Sequence, residues 1–369
     1  MRTQARIELA AIRDNTRALL DRAAGEAQLM AVVKADGYGH GLVPSARAAL
    51  DGGAAWLGVA FVEEALALRA AGIGAPTLAW LTTPADDLAP AVAAGVDLGA
   101  YDVAQVQAAV TAAQQAGVPA RLHLKADTGL SRGGATPADW PDLCAAAARA
   151  QAGGEVVVTG LWSHFAFADG GRDHPVNSRQ AAVFVEALQV AERAGLRPEV
   201  RHLANSAATL TAPATHYDLV RPGIALYGLP PVPGQFGLRP AMTLASTVAL
   251  TKRVAAGSGV SYLHRHVTAS TSRLALVPLG YADGVPRTAT STAEVLHRGV
   301  RRTIAGTVCM DQFVLDLGDD PAEAGDEVLL FGPGEHGEPT AREWADRLGT
   351  IDYEIVTRIG ARVPRVHLP

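Results

Sequence analysis

Cysteine is almost missing from this chain of 369 residues. Cys144 and Cys309 are the only two, too few for a disulfide framework and too isolated for a structural zinc site, which points to a reducing compartment. An excess of charge of one sign is missing as well. A formal net charge of -5, with acids and bases interspersed, excludes a nucleic-acid footprint and a polybasic membrane anchor. The opening MRTQARIELAAIRDNTRALL carries charges throughout, so it lacks the apolar segment of a signal peptide, and no run approaches membrane-spanning length. The expectation is a cytoplasmic protein with a small-molecule partner. No metal is expected, because His174 lies in a different segment from His264 and His266 and none has carboxylates at ligand spacing.

Apolar residues are plentiful, at 49%, enough for a large core. Between residues 29 and 228 short β-type runs alternate with Ala-rich helical ones, the pattern of βα units feeding a parallel sheet. LMAVVK, AWLGVA, PTLAWL, VDLGAY, ARLHLKAD, VVVTGLWSHF, VRHLAN and YDLVRPGIALYG supply the strands, and 62–71 and 103–115 read as helices. A closed eight-stranded barrel occupies about 250 residues, so an N-terminal (β/α)8 TIM-type barrel fits this stretch, with an open doubly wound sheet as the alternative. The pattern breaks at GLPPVPGQFGLRP, which sets the domains at 1–232 and 233–369. Beyond it, LASTVALTKRV, SRLALVPLGY, RRTIAGTVCMDQFVLDL and DEVLLFG describe a mainly β C-terminal domain, with one clear helix at 340–348 and extended chain after Pro364.

Chemistry in a parallel barrel sits at the C-terminal ends of the strands. Lys34 ends the first strand, Lys125 and Asp127 the fifth, His164 the sixth, Asn205 and Ser206 the seventh, and Arg221 lies within the eighth. Alone, Lys34 reads as a solvated lysine leaving a strand. Its neighbours change that: Gly37, Gly39 and Gly41 let the backbone close on an anion such as phosphate, and Tyr38 adds a donor. The spacing lacks the third glycine of a dinucleotide fingerprint. Ser206, opening a helix, and a Gly223 N–H turned inward are further groups for a phosphate, although an N-cap serine and a strand-breaking glycine are the ordinary readings. Arg221 sits in an apolar run where an unpaired guanidinium is costly, so a ligand or an acid must meet it. His164 reads by itself as a core histidine, and Tyr262 and Tyr281 as packing residues.

The ordered set VVKADGYGHG, LKADTGLSRGG, HLANSAATL, RPGIALYG, GVSY, PLGYADG, VCMDQ and IDYEIVTRIGARVPRV resembles the alanine racemase family and covers nearly the whole chain. The resemblance implies pyridoxal 5'-phosphate held as a Schiff base on Lys34, a barrel followed by a β-rich domain, and a homodimer with shared active sites. It implies phosphate contacts from Tyr38, Ser206, the backbone of Gly223 and Ile224, and Tyr353. It sets Arg221 against the pyridine nitrogen with His164 beside it, linking it to the catalytic tyrosine. Racemisation needs acid/base groups on both faces of the cofactor; the resemblance makes these Lys34, acting on D-alanine, and the partner's Tyr262, acting on L-alanine. A phenol is a weak base at neutral pH, so positive charge from Arg221 through His164 is expected to favour its phenolate.

By the same resemblance, Arg132 and the Met310 N–H bind the substrate carboxylate, and Tyr281 and Tyr353 narrow the pocket. Lys125 matches a lysine often carbamylated in the family; the alternative is an unmodified lysine paired with Asp127 or another acid. The chain departs from the family at Leu263 and Ser131, where glycine is expected, and at Gly134, where a larger apolar residue is. The implied function is interconversion of L- and D-alanine, supplying D-alanine for wall peptidoglycan. The alternatives are a broad-specificity racemase of the same fold and a non-enzymatic cofactor-binding barrel, which would lack the second domain.

Overall fold

The computed structural model describes residues 2–171 and 173–369. The chain divides into two compact units. One is made of Ile12–Gly37 and Leu42–Leu238; the other of Arg239–Pro369 with Tyr38–Gly41 and the N-terminal segment up to Ala11.

The first strand, β1 (Thr3–Glu8), belongs to the second unit. The first unit contains β2 (Gln28–Val32), β3 (Trp56–Val59), β4 (Thr77–Ala79), β5 (Asp97–Ala100), β6 (Ala120–Lys125), β7 (Val156–Trp162), β8 (Val200–His202) and β9 (Leu219–Val220). They form one eight-stranded parallel sheet in the order β8-β7-β6-β5-β4-β3-β2-β9. The ring is completed where Asp218 N–H donates to Arg201 O at 3.1 Å and Arg221 N–H to Ala204 O at 3.0 Å. This is the (β/α)8 barrel expected from the alternating pattern, not the open doubly wound sheet. One of its helices, Val103–Ala116, carries both expected stops: it starts on Asp102, whose side chain accepts from Gln105 N–H, and ends on Gly117 in the left-handed region.

The strands are shorter than the apolar runs that contain them. YDLVRPGIALYG holds only Leu219–Val220 as strand, because Pro222 has no N–H for a ladder and Ile224–Tyr227 coils into a 3-10 turn. Arg221 therefore follows β9 instead of lying inside it. On β6 the alternation is strict: Arg121, His123 and Lys125 share one face and meet Asp97, His202 and Trp162 inside the barrel.

The second unit is mainly β. Its strands are β10 (Met242–Thr247), β11 (Leu250–Val254), β12 (Gly259–Val260), β13 (His266–Val267), β14 (Ser272–Val277), β15 (Glu294–His297), β16 (Val300–Thr303), β17 (Phe313–Asp316), β18 (Glu327–Phe331) and β19 (Arg365–Leu368). A six-stranded sheet runs β16-β15-β18-β10-β1-β19, with β1 antiparallel to β10 and parallel to β19. Helix Ala341–Leu348 opens on a reciprocal cap: Glu343 N–H donates to Thr340 Oγ1 at 3.1 Å and Thr340 N–H to Glu343 Oε2 at 2.6 Å. Among the described residues, no helix is long and apolar enough to cross a membrane.

Candidate active site

Past β2 the Val33 N–H still pairs with Gly58 O at 2.9 Å, which carries Lys34 to the C-terminal end of the barrel. The chain then turns left-handed, with φ of 53° at Ala35, Asp36 and Tyr38 and 61° at Gly37. Each non-glycine residue in that region costs about 1–2 kcal/mol, so neighbouring structure has to impose it. Gly37 N–H closes the turn on Val33 O at 2.8 Å. Asp36 Oδ1 accepts from Leu42 N–H at 2.8 Å, and Glu64 accepts from Ala35 N–H at 2.6 Å through Oε1 and from Ala60 N–H at 2.9 Å through Oε2. A Cβ on Gly37 would lie 2.7 Å from Ser45 Oγ. Lys34 is half-buried with its Nζ 5.9 Å from the centre of the Trp80 ring. Burial first, and then Arg132, push its amine below the usual lysine range, partly offset by Glu64.

Lys125, at the end of β6, lies with its Nζ 4.6 Å from the Trp162 ring centre and 5.0 Å from that of Tyr101. Burial, reinforced by Arg132 and Arg221, lowers its pKa to about 8. Asp127 does not pair with it. The Asp127 Oδ1 accepts instead from the N–H groups of Gly129, Leu130 and Ser131 at 2.9, 3.0 and 3.1 Å and so shapes the loop that presents the exposed Arg132. The backbone explains Gly134 but not Ser131. Ser131 has φ 54°, where glycine would be at ease, and Gly134 has φ 116° with a virtual Cβ only 2.8 Å from Asp127 N.

Arg221 is 5% exposed, and among the described residues the protein groups that accept from it are carbonyls and imidazoles, not an acid. Its Nη2 donates to Ser163 O at 2.8 Å, His164 Nδ1 at 3.2 Å and Leu203 O at 3.3 Å, its Nη1 donates to His202 Nδ1 at 3.0 Å, and the guanidinium lies 5.0 Å from the Trp162 ring centre. Burial brings its pKa down to about 9. His164 is held well below the ordinary imidazole range by burial and then by Arg221, Arg132, Lys125 and Lys34. These four cations converge on one barrel mouth.

Asn205 caps the helix Ser206–Thr211 by accepting from Ala208 N–H at 3.0 Å. Ser206 Oγ accepts from Gly223 N–H at 2.8 Å and from Ala225 N–H at 3.4 Å, which leaves its own O–H to donate. The Gly223 N–H is therefore spent on Ser206 instead of pointing inward. Ser206, Gly223 and Ile224 are nonetheless brought together.

The remaining expected residues lie in the second unit. Tyr38 is buried, with its ring centre 6.2 Å from that of Tyr353. Tyr281 N–H donates to Cys309 O at 3.0 Å and Ala282 N–H to Met310 O at 2.9 Å, which ties the Tyr281 turn to the Met310 loop. Tyr262 is 68% exposed; Thr307 Oγ1 donates to its carbonyl at 2.8 Å. Around it Ser261, Leu263 and His264 have φ of 60°, 62° and 44°. Leu263 thus occupies the left-handed region in which glycine is at ease, with its side chain exposed.

Sequence reasoning missed the aromatic wall of Trp80, Tyr101 and Trp162, and the buried His202, His123 and Asp97 behind Arg221. The strict alternation of polar side chains along ARLHLK puts His123 on the same face as Lys125 but does not report its partners.

A cation-lined mouth on a (β/α)8 barrel can hold an anionic group of a small molecule. The family models for the alanine racemase N-terminal and C-terminal domains match residues 7–231 and 241–367. The alanine racemase of Frankia casuarinae is 62% identical over 99% of this chain and 96% of that protein. The solved alanine racemase of Streptomyces coelicolor A3(2) is 56% identical, covers 100% of this chain and 98% of that one, and superposes with a TM-score of 0.97. That of Streptomyces lavendulae, a D-cycloserine producer, has 54% identity over 100% and 97%, with the same TM-score. The chain belongs to the alanine racemase family and is an isomerase.

Proposed function

We propose that the chain interconverts L- and D-alanine with pyridoxal 5'-phosphate bound at the barrel mouth. The observation that carries this is Lys34: an amine at a strand end, half-buried, shifted towards its neutral form, and grouped with Lys125, Arg132 and Arg221. The same residues fit the cofactor. Ser206 keeps an O–H for a phosphate beside the Gly223–Ile224 turn, with Tyr38 and Tyr353 as further phosphate partners, and Lys34 supplies the amine for covalent attachment. Arg221 would be the residue that meets the cofactor's pyridine nitrogen. The bound cofactor supplies an electron sink for the charge left when the α-hydrogen is removed.

Lys34 moves the proton at the α-carbon on one face, serving D-alanine, and the partner's Tyr262 moves it on the other, serving L-alanine. Because Arg221 donates to His164 Nδ1, the His164 proton resides on Nε2, where it is available to the tyrosine oxygen. An arginine does not readily give up a proton, so Arg221 weakens the electron sink and trades rate for reaction specificity. Arg132, with the Met310 N–H, binds the substrate carboxylate, while Tyr281 and Tyr353 limit side-chain size. A carbamate on Lys125, formed from its neutral amine, would hold Arg132 in place. The exposure of Tyr262, Leu263 and Met310, at 68%, 75% and 53%, supports a homodimer that covers them. Two free cysteines agree with the cytoplasm, and the role proposed here is supply of D-alanine for wall peptidoglycan.

The test is purified full-length protein with added cofactor. It should gain visible absorption and convert either alanine enantiomer into the racemate; no absorption, or an unchanged enantiomer, would reject the reading. A panel of other L-amino acids with product chirality measured separates alanine specificity from broad racemisation.

A further inference from the structure

Barrel interiors of this fold are ordinarily filled by branched apolar side chains. Here a polar chain crosses the interior from mouth to floor. Arg221 Nη1 meets His202 Nδ1 at 3.0 Å, His202 Nε2 meets His123 Nδ1 at 2.8 Å, and His123 Nε2 meets Asp97 Oδ2 at 3.1 Å. His202 and His123 are fully buried and Asp97 is 1% exposed.

The direction of every bond in this chain is fixed by its ends. Arginine has no acceptor, so it donates, and His202 Nδ1 carries no proton. The His202 proton is then on Nε2 and donates to His123, whose Nδ1 must be bare; the His123 proton is on Nε2 and donates to the carboxylate. Neither ring has a place for a second proton while all three bonds stand. The result is a buried cation and a buried anion joined by two neutral imidazoles whose dipoles point the same way, an arrangement in which each bond polarises the next.

Local structure is shaped around this chain. The β6–β7 register shifts between Leu122 and His123, which places Thr159 so that its Oγ1 donates to Asp97 Oδ2 at 2.6 Å. The next residue, Gly160, sits against the imidazole: a Cβ there would lie 2.2 Å from His123 Nδ1. His202 stacks on Trp162, 5.6 Å between ring centres and 8° from parallel. At the floor, Arg121 Nε donates to the other carboxylate oxygen, Asp97 Oδ1, at 2.8 Å, so Oδ2 is left to the relay and Thr159. Burial opposes the Asp97 charge, but His123, Arg121 and Thr159 outweigh it and hold the carboxyl below its ordinary range.

We propose that Asp97, His123 and His202 are positioning residues for Arg221: a carboxylate at the barrel floor, acting through two imidazoles held in one tautomer, orients the guanidinium at the mouth and balances its charge. The proposal rests on the reading of Arg221 as the group facing the cofactor ring. Its prediction is that changing a charge deep below the pocket alters turnover without altering substrate binding.

The test uses the full chain labelled with 15N-histidine and loaded with cofactor. In the wild type, NMR should show His202 and His123 as neutral Nε2–H tautomers with slowly exchanging ring protons; an Nδ1–H tautomer at either ring overturns the relay. Asp97→Asn keeps an oxygen for His123 but removes the charge. It should shift the His123 and His202 ring signals and lower kcat on the order of tenfold with KM and cofactor content unchanged, as loss of an outer partner typically does. Wild-type kcat in this variant overturns the proposal. Should Asp97→Asn fail to fold, Thr159→Val removes one donor from the carboxylate at similar volume. It should lower kcat by a smaller factor at unchanged KM, and an unchanged kcat again counts against the relay. A wild type with the expected tautomers but no action on alanine would reject the functional reading and leave the structural relay standing.

Discussion

Arg221 and His164 share a hydrogen bond of 3.2 Å in which the guanidinium donates and the imidazole accepts. This bond fixes the tautomer of His164, and the same guanidinium is fixed in turn by Ser163 O and Leu203 O. The arrangement needs a planar fork with several donors, which lysine cannot reproduce. Arg221→Lys should keep the positive charge and the fold but lose the geometry, with a fall in kcat on the order of 100-fold, the loss typical of a preorganised donor. Steady-state kinetics with cofactor content measured in parallel checks it; near wild-type kcat would show that charge alone suffices.

Gly37 sits inside the left-handed turn with little room for a side chain. With φ at 61° and a virtual Cβ 2.7 Å from Ser45 Oγ, Gly37→Ala combines backbone strain with a steric conflict. A loss of about 1–2 kcal/mol is expected from the backbone alone. Urea unfolding should show a lower midpoint with an unchanged slope, and the retained protein should hold cofactor less tightly.

The left-handed turn was not legible in VVKADGYGHG, whose glycines suggested anion binding but not a run that includes Ala35, Asp36 and Tyr38. Long-range ties such as Glu64 to Ala35 impose that geometry, and no local propensity reports them. The eight barrel strands were legible because each is a short apolar run between helical segments. β1 was not, since only Ala5 and Ile7 mark its inner face and its partners β10 and β19 lie more than two hundred residues away. At the site, Lys34, Lys125 and His164 were legible as polar residues at strand ends, Arg221 as a costly charge in an apolar run, and Arg132 only through the family resemblance. His123 and Asp97 were not, because their roles depend on one another across three strands and on a register shift in β7.

Arg132 is exposed at the mouth and acts on Lys34, Lys125 and His164 through its charge. Arg132→Gln removes the partner assigned to the substrate carboxylate while leaving Lys34 and Ser206 in place. Loss of a hydrogen bond to a charged group is worth about 1.5–3 kcal/mol, so kcat/KM should fall by about 10- to 100-fold, expressed chiefly in KM. The visible absorption of bound cofactor should be retained. An unchanged KM would remove Arg132 from substrate binding.

Lys125 predicts a pH dependence of stability. Its pKa is lowered from 10.5 to about 8 in the folded chain, so the folded state binds this proton less tightly than the unfolded state. A group lowered in this way destabilises the fold at pH below about 8, and the penalty is relieved as pH rises from 8 towards 10.5. In carbon-dioxide-free buffer without cofactor, the wild type should gain stability over that window relative to Lys125→Met. Parallel stability curves for the two proteins would contradict the shift. Adding 13C-bicarbonate should then produce a carbamate signal in the wild type alone.

The two-face assignment is tested most directly by Tyr262→Phe, loaded with cofactor, incubated in heavy water with each alanine enantiomer separately and read by loss of the α-proton signal. The variant should keep the cofactor absorption, exchange the α-hydrogen of D-alanine through Lys34, and lose most exchange from L-alanine. Equal exchange rates from both enantiomers would contradict the pairing of Lys34 with Tyr262.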